Sequence, residues 1–138
     1  FQMTYVGTPH IWYGDEVGMM GAHDPDCRRP FDWNYTENLE KVGLRDHYKK
    51  LIEIRKENSC LRTGSFSTLV ADGMVYGYLR SDESSSIAII LNNDTKSHNI
   101  KIPFGSDNLL DLLSGKSYIV KDGIVEIELS AMSGALLK

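Results

Sequence analysis

The run Ile124-Val125-Glu126-Ile127-Glu128-Leu129 alternates apolar and acidic side chains along most of its length. Because successive side chains of a strand point to opposite faces of a sheet, this alternation predicts a strand with one buried face and one face in water. Turn-forming pairs border it on both sides, Asp122-Gly123 before it and Ser133-Gly134 after it. The same period of two recurs throughout the chain from Leu61 onward.

Eight short runs of this kind, each bounded by turn residues, follow Leu61. They are Phe66 to Val70, Met74 to Arg80, Ile87 to Asn92, His98 to Ile102, Leu109 to Leu113, Tyr118 to Val120, Ile124 to Leu129 and Ala135 to Leu137. Eight short strands at this spacing favour an antiparallel β-sandwich or a small barrel. The sequence is therefore expected to be mainly β.

The residues before this region follow a different period. Leu44, Tyr48, Leu51 and Ile52 are spaced as on one face of a helix, which predicts an amphipathic helix from about Leu44 to Asn58. The boundary between the helix and the strand region should then fall near Ser59 to Arg62.

The first 40 residues contain one apolar run among many turn formers. Pro9 to Tyr13 has the length and composition of a buried strand, and Gly14 to Thr36 is typical of a long loop, a kind of segment that often carries function. A buried parallel strand needs neighbours to pair its backbone groups, and no second strand of this kind is present. Either this strand borrows partners from elsewhere, or the segment is the end of a longer α/β domain.

Composition excludes several classes of function. The chain has 138 residues, and 15 Lys and Arg against 19 Asp and Glu give a formal charge of −4 with no basic run, so nucleic acid is not expected as a partner. No stretch resembles a membrane span or a signal peptide. Cys27 and Cys60 are too few for a disulfide scaffold or a zinc site, and reduced thiols in a cytoplasmic protein are the expectation.

Several motifs before the strand region resemble those of a known family. They are the string GTPHIWYGDE at Gly7 to Glu16, Gly18-Met19, the string DPDCRRPFDW at Asp24 to Trp33, LIEIRK at Leu51 to Lys56 and LRTG at Leu61 to Gly64. Together they resemble the segment around the last barrel strand of alpha-amylase family glycosidases, closest to the neopullulanase and cyclomaltodextrinase type. The strands beyond resemble the C-terminal β-sandwich of that family.

The resemblance implies a retaining hydrolase of α-1,4-linked glucans such as starch or cyclodextrins, built as a (β/α)8 barrel followed by a sandwich. Residues 1–58 would be the last strand, loop and helix of the barrel, and residues 59–138 the antiparallel β-sandwich. The family's catalytic carboxylates come from earlier barrel strands, so they are expected upstream of Phe1 and the chain itself is expected to be inactive. No cofactor or metal is implied.

The resemblance also marks Asp24 and Arg28 as substrate-binding candidates. Their spacing resembles that of a family loop whose Asp and Arg hydrogen-bond glucose hydroxyls on the non-reducing side of the cleaved bond. A carboxylate accepts from sugar hydroxyls while a guanidinium donates through its fork. The alternative is that the two side chains pair with each other as a loop salt bridge.

Other polar and aromatic residues of the loop are weaker candidates. Asp15 and Glu16 are adjacent at a strand end and poorly placed to flank one glycosidic bond, so we expect them to hydrogen-bond nearby loop groups. Phe31 and Trp33, with Arg29, could line a sugar cleft, but anchoring of the loop onto the barrel is favoured for the two aromatic residues. Trp12 and Tyr13 are expected to pack in the strand.

The remaining candidate residues lack the partners that a metal site or a nucleophile would need. His10 and His23 lack the convergent ligands that a metal site needs. Cys27 lies beside two arginines but has no positioned base. Tyr76 and Tyr78 share one face of a predicted strand; they would suit glucan binding if exposed, and core packing within the sandwich is favoured.

Two expectations concern the chain as a whole. An alternative to the enzyme-fragment interpretation is an accessory module, in which the sandwich supports the barrel or binds carbohydrate. In addition, residues that would face a missing barrel should form an exposed apolar patch that favours a homo-oligomer. These residues are Ile11, Tyr13, Tyr48, Leu51 and Ile52.

Overall fold

The computed structural model describes all 138 residues and divides them into two compact units. The sandwich unit comprises Phe1–Gly7 and Arg55–Lys138, and the loop-helix unit comprises residues 8–54. The first seven residues thus pack with the strands rather than with the loop that follows them. The assignment of residues 1–58 to a barrel and 59–138 to a sandwich concerns a longer protein and stays a prediction.

All strands of the sandwich unit pair antiparallel. A four-stranded sheet has the order β1-β2-β3-β8, and two ribbons pair β4 with β7 and β5 with β6. The strands are β1 Ser65–Asp72, β2 Val75–Ser81, β3 Ser86–Asn92, β4 His98–Pro103, β5 Asn108–Leu110, β6 Ser117–Ile119, β7 Ile124–Leu129 and β8 Ser133–Leu137. The predicted mainly β fold with an antiparallel sandwich is confirmed.

The sandwich core lies between one face of the four-stranded sheet and the β4–β7 ribbon. Ala88 and Ile90 of β3 belong to the same buried cluster as Ile102 of β4 and Val125 and Ile127 of β7, all with no exposed surface. The acidic residues between them on β7 are exposed, as the alternating pattern predicts.

The opposite face of the four-stranded sheet is also covered. Tyr78, Ile87 and Ile89 on this face are completely buried. Residues 1–5 lie over it: the Thr4 hydroxyl is 2.7 Å from the Tyr78 hydroxyl, and the ring of Tyr5 packs edge-on against that of Tyr78. Burial raises the pKa of Tyr78. Tyr78 is therefore a core residue, but of the outer face rather than of the interior between the sheets.

Two arginines attach the first seven residues to this outer face. Arg80 is 1% exposed and donates to the carbonyls of Thr4 at 2.9 Å, Gly64 at 3.1 Å and Ser65 at 3.2 Å. Arg55 donates to the carbonyls of Met3, Gly7 and Leu61 at 2.6 to 2.9 Å. Neither guanidinium forms a salt bridge. Backbone carbonyls are thus the hydrogen-bond acceptors of both guanidinium groups. We call Arg55 and Arg80 together the arginine clamp.

The loop-helix unit contains most of helix α1, Leu39–Glu57. The helix begins five residues before the predicted start because the side chain of Asn38 accepts from the backbone N–H groups of Glu40 and Lys41 at 2.9 and 3.2 Å. A one-turn helix, α2 Cys60–Thr63, follows in the sandwich unit. No helix is long and apolar enough to cross a membrane.

The predicted strand Pro9 to Tyr13 is wrong for this chain. The segment has no regular secondary structure, and Trp12 and Tyr13 are 50% and 42% exposed rather than packed. The physical reason is that no neighbouring strand is present to pair its backbone groups. The loop predicted after it is confirmed, with short 3-10 turns at Asp15–Val17, Asp26–Arg28 and Trp33–Glu37.

Several strand bounds differ from the prediction by one or two residues, and the end of β5 differs most. The run Leu109 to Leu113 forms strand only to Leu110. The carboxylate of Asp111 accepts from the backbone N–H groups of Leu113 and Ser114 at 3.1 and 3.2 Å, which folds the chain into a turn there.

Candidate functional site

The structure brings the two predicted substrate-binding residues together. Arg28 Nε lies 2.8 Å from Asp24 Oδ1, with the side chains 70% and 64% exposed. Both flank the short turn Asp26–Arg28, and the peptide bond between Asp24 and Pro25 is cis. The arrangement is an open ion pair at the surface, with further oxygen and nitrogen atoms free toward solvent.

A second ion pair stabilises the same loop. Arg29 donates to both carboxylate oxygens of Asp26, at 2.7 and 2.8 Å, and one of these oxygens also accepts from the backbone N–H of Ala22 at 2.6 Å. The hydrogen bond from Arg29 is the main reason that the pKa of Asp26 is lowered. Arg29 therefore holds the loop in shape. Sequence reasoning missed Asp26, although an Asp and an Arg three residues apart are a recognisable pair.

Asp15 and Glu16 each close a turn. Asp15 Oδ2 accepts from the backbone N–H of Trp12 at 3.0 Å, and Glu16 Oε2 accepts from that of Gly14 at 2.9 Å. Gly14 has a φ of 93°, and a Cβ there would lie 2.6 Å from the sulfur of Met19. The turn thus needs glycine, and both carboxylates act on the local backbone.

Asp32 is a further residue that sequence reasoning missed. Its carboxylate accepts from the backbone N–H of Asn34 at 3.1 Å and from Lys41 Nζ at 2.5 Å. The bond from Lys41 is the largest cause of its lowered pKa. Asp32 therefore ties the end of the loop to helix α1.

Aromatic residues on either side of Asp32 in the sequence form part of a cleft. Phe31 lies edge-on to Trp33 and Tyr35, with ring centroids 4.8 and 6.2 Å apart, and the guanidinium of Arg45 lies 5.2 Å from the Tyr35 ring centre. Together with Tyr13 and Glu16 these residues line a cavity of about 400 Å³. Trp33 is 78% exposed in this chain, and its expected role as an anchor of the loop onto a barrel stays a prediction.

The structure shows no cluster of three or more His, Cys, Asp or Glu side chains that could hold a metal ion. Cys27 is exposed, with its sulfur 3.8 Å from Asp24 Oδ1, and Cys60 is buried. Both are free thiols.

Comparison with known proteins gives a consistent result across sequence and structure. No protein-family profile matches the chain. A cyclomaltodextrinase of Thermoanaerobacter pseudethanolicus is 45% identical over 88% of the chain, and neopullulanase 2 of Thermoactinomyces vulgaris is 37% identical over 99% of it. The chain is homologous to alpha-amylase family enzymes.

Solved structures agree with this family relationship. A cyclomaltodextrinase structure superposes on 99% of the chain with a TM-score of 0.86 at 31% identity. An acarbose-soaked debranching enzyme of Nostoc punctiforme covers 99% of the chain with a TM-score of 0.74 at 28% identity. The chain spans 19% and 24% of the two sequence relatives and 24% and 27% of the two solved chains. The chain thus corresponds to about a quarter or less of the length of these relatives.

Hydrogen bonds within the chain shift the pKa of several of its carboxylates. Those with shifted pKa values are Asp26, Asp32, Asp82 and Asp94, and in all four hydrogen bonds lower the pKa. A general acid for glycosidic cleavage needs a raised pKa instead. None of these four groups has that property.

Proposed function

We propose that the chain is a non-catalytic part of a longer alpha-amylase family glycoside hydrolase. The parent would cleave α-1,4-glucosidic bonds of starch-type glucans or cyclodextrins with retention of configuration. The observation that carries this proposal is the 45% identity to a cyclomaltodextrinase over 88% of the chain. The free thiols Cys27 and Cys60 fit a cytoplasmic parent, since reducing compartments keep thiols unpaired.

The non-catalytic role follows from what retaining cleavage requires. Such enzymes place a nucleophile carboxylate and a protonated carboxyl about 5–5.5 Å apart across the bond. Asp15 and Glu16 each accept a backbone N–H of their own turn, and the carboxylates with shifted pKa values are all more acidic than usual. These observations support a catalytic pair that lies outside this chain.

The Asp24–Arg28 pair supplies the substrate contact in this proposal. Its exposure lets glucose hydroxyls replace water at both side chains, with Arg28 donating and Asp24 accepting. Exposed ion pairs contribute about 0–1 kcal/mol, so the mutual bond opens at little cost when sugar binds.

The first test uses the purified chain with β-cyclodextrin and maltoheptaose. We expect no release of reducing sugar, with far-UV circular dichroism confirming that the protein is folded. Turnover that Asp15→Ala, Glu16→Ala or Asp24→Ala abolishes would overturn the proposal, because it would place catalytic carboxylates within the chain.

The second test uses the longer gene product. Asp24→Asn and Arg28→Ala should each raise the KM for maltoheptaose about tenfold, the equivalent of one charged hydrogen bond, with kcat less affected. Asp46→Asn is the matched control, because Asp46 forms an exposed ion pair with Lys49 on helix α1 in the same unit. Equal KM values for Asp24→Asn and Asp46→Asn would contradict the substrate contact.

A structural role of the sandwich is the second candidate function. The outer sheet face is covered by the chain's own residues, and Tyr78 has no exposed surface for a sugar ring. In the longer product, Arg80→Met should then lower the melting temperature while the KM stays within twofold. A large change in KM with an unchanged melting temperature would instead indicate carbohydrate binding by the sandwich.

A further inference from the structure

We propose that the aromatic cleft formed by Tyr13, Phe31, Trp33 and Tyr35, with Glu16 and Arg45 at its edge, is a second binding site for a glucose unit of an oligosaccharide. The inference rests on the proposed function for the kind of sugar. It concerns different side chains from the Asp24–Arg28 pair.

The cleft has the size and the surface that a sugar ring requires. Its volume of about 400 Å³ lies in the range of small-molecule sites. Trp33 is 78% exposed and Tyr13 is 42% exposed, so ring surface is open to solvent. The C–H face of a pyranose packs on such a surface as other apolar groups do.

Phe31 supports the two neighbouring rings. Its ring meets those of Trp33 and Tyr35 at 61° and 74°, both edge-on. In an edge-on contact the edge of one ring meets a face of the other, so Phe31 covers at most one broad face of each neighbouring ring. The cluster therefore holds its aromatic side chains together, while the 78% exposure of Trp33 leaves ring surface open to a ligand.

The two charged residues provide hydrogen-bonding groups of both kinds. Arg45 lies over the Tyr35 ring and has no carboxylate partner, so its N–H groups remain available as donors. Glu16 uses Oε2 for the Gly14 N–H, which leaves Oε1 as an acceptor. Sugar hydroxyls both donate and accept, and they match this combination.

The charge of the cleft favours a neutral ligand. One positive and one negative side chain line it, and the remaining lining residues are aromatic. An anion would meet the carboxylate of Glu16, and a cation would meet the guanidinium of Arg45. A neutral polyhydroxylated ring avoids both conflicts.

The experiment follows the indole N–H signals of the chain by NMR during titration with maltoheptaose. The chain has two tryptophans, and Trp12→Phe assigns the two signals. We expect the Trp33 signal to shift saturably and the Trp12 signal to shift less, because Trp12 contacts the cleft only through the Tyr13 ring, with centroids 5.3 Å apart. Sorbitol at the same hydroxyl concentration should move neither signal.

Variants separate this cleft from its surroundings. Arg45→Ala should weaken the Trp33 response about tenfold, since it removes the charged donor. Lys49→Ala on the same helix is the matched control and should leave the titration unchanged. Asp24→Asn should also leave the Trp33 response in place, because the Asp24–Arg28 pair is a different site.

Three results would overturn the inference: no shift of the Trp33 signal, an equal shift with sorbitol, or a shift that follows protein concentration without sugar. The last would show that a second copy covers the cleft. The longer gene product could hydrolyse cyclodextrin while the Trp33 signal does not respond to sugar. That result would overturn this inference and leave the proposed function standing. Sugar binding at Trp33 with an inactive longer product would instead contradict the proposed function.

Discussion

Arg80 shows how much a single residue can contribute to the stability of the sandwich unit. Its guanidinium is buried with three backbone carbonyls as partners and no carboxylate. We expect Arg80→Ala to lower the free energy of unfolding by about 2–4 kcal/mol, because it leaves buried carbonyls without donors and creates a cavity. Urea unfolding followed by circular dichroism measures this.

The control for Arg80 is Lys101, a cation on an exposed strand face. Lys101 forms an ion pair with Glu126 at 3.5 Å with both side chains more than half exposed. Lys101→Ala should change the free energy of unfolding by less than about 0.5 kcal/mol. Similar losses for the two variants would show that burial of the Arg80 charge is not the cause.

Asp82 makes stability depend on pH. Its carboxylate accepts from the hydroxyls of Ser59 and Ser84 and from the backbone N–H groups of Ser84 and Ser85, and these bonds hold its pKa well below the usual 3.8. A lowered pKa in the folded state stabilises the protein above pH 3.8, and this contribution is lost as the pH falls further toward the folded-state pKa. The loss should therefore be confined to strongly acidic solution.

The measurement compares Asp82→Asn with the parent chain by urea unfolding at pH 7, 5 and 3. We expect the variant to be destabilised equally at pH 7 and 5, and the difference to shrink at pH 3. Asp72→Asn is the control, since the exposed Asp72 side chain has no hydrogen bond or ion pair. A difference that grows on acidification would contradict the assignment.

At the scale of elements, two glycines in regular structure predict opposite effects. In helix α1 a Cβ at Gly43 would meet nothing within 4 Å, so Gly43→Ala should stabilise the protein by about 0.5–1 kcal/mol. In β2 a Cβ at Gly77 would lie 2.6 Å from Ile90 and 2.7 Å from Val70, so Gly77→Ala should cost about 1–3 kcal/mol. Melting temperatures of the two variants on either side of the parent value would confirm this; a shift in the same direction would refute it.

The elements also show what the sequence could predict. The bounds of β7 match the predicted run Ile124 to Leu129, because the alternation of buried and exposed faces follows directly from the order of neighbouring residues. The segment Pro9 to Tyr13 has strand composition but no strand structure, because pairing depends on neighbours that this chain lacks. Local patterns thus predicted the elements that find their partners within the chain.

The candidate site was predictable only in part. Spacing along the chain left open whether Asp24 and Arg28 contact substrate or each other. The structure shows them paired, with the two atoms 2.8 Å apart, and the substrate contact stays a prediction. The exposure of Trp33 was not predictable, since aromatic composition fits an anchor and an open surface equally. The buried Arg80 gave no local signal either, because its partner Thr4 lies 76 residues away.

At the scale of the whole molecule, exposed apolar side chains predict self-association. Trp12 and Leu39 of the loop-helix unit are 50% and 87% exposed, and Ile11, Tyr48, Leu51 and Ile52 are only partly buried. Association would remove such surface from water. We expect light scattering to report a mass that rises from that of a monomer with concentration.

The matched variants for self-association are Leu51→Gln, on the predicted face, and Ile119→Gln, at an exposed position of β6 in the sandwich unit. Leu51→Gln should weaken association, and Ile119→Gln should leave it unchanged. A monomer at all concentrations would contradict the prediction.

The arginine clamp has a consequence for the order in which the protein takes shape during synthesis. Thr4 leaves the ribosome 76 residues before the arginine that binds its carbonyl. At roughly 5–20 residues per second, the interval is about 4 to 15 s. Throughout that time the first seven residues have been translated without the strand that receives them. Residues 1–7 thus reach their place only after Arg80 has been made, and a nascent chain halted before residue 80 should leave residues 1–7 accessible to proteases.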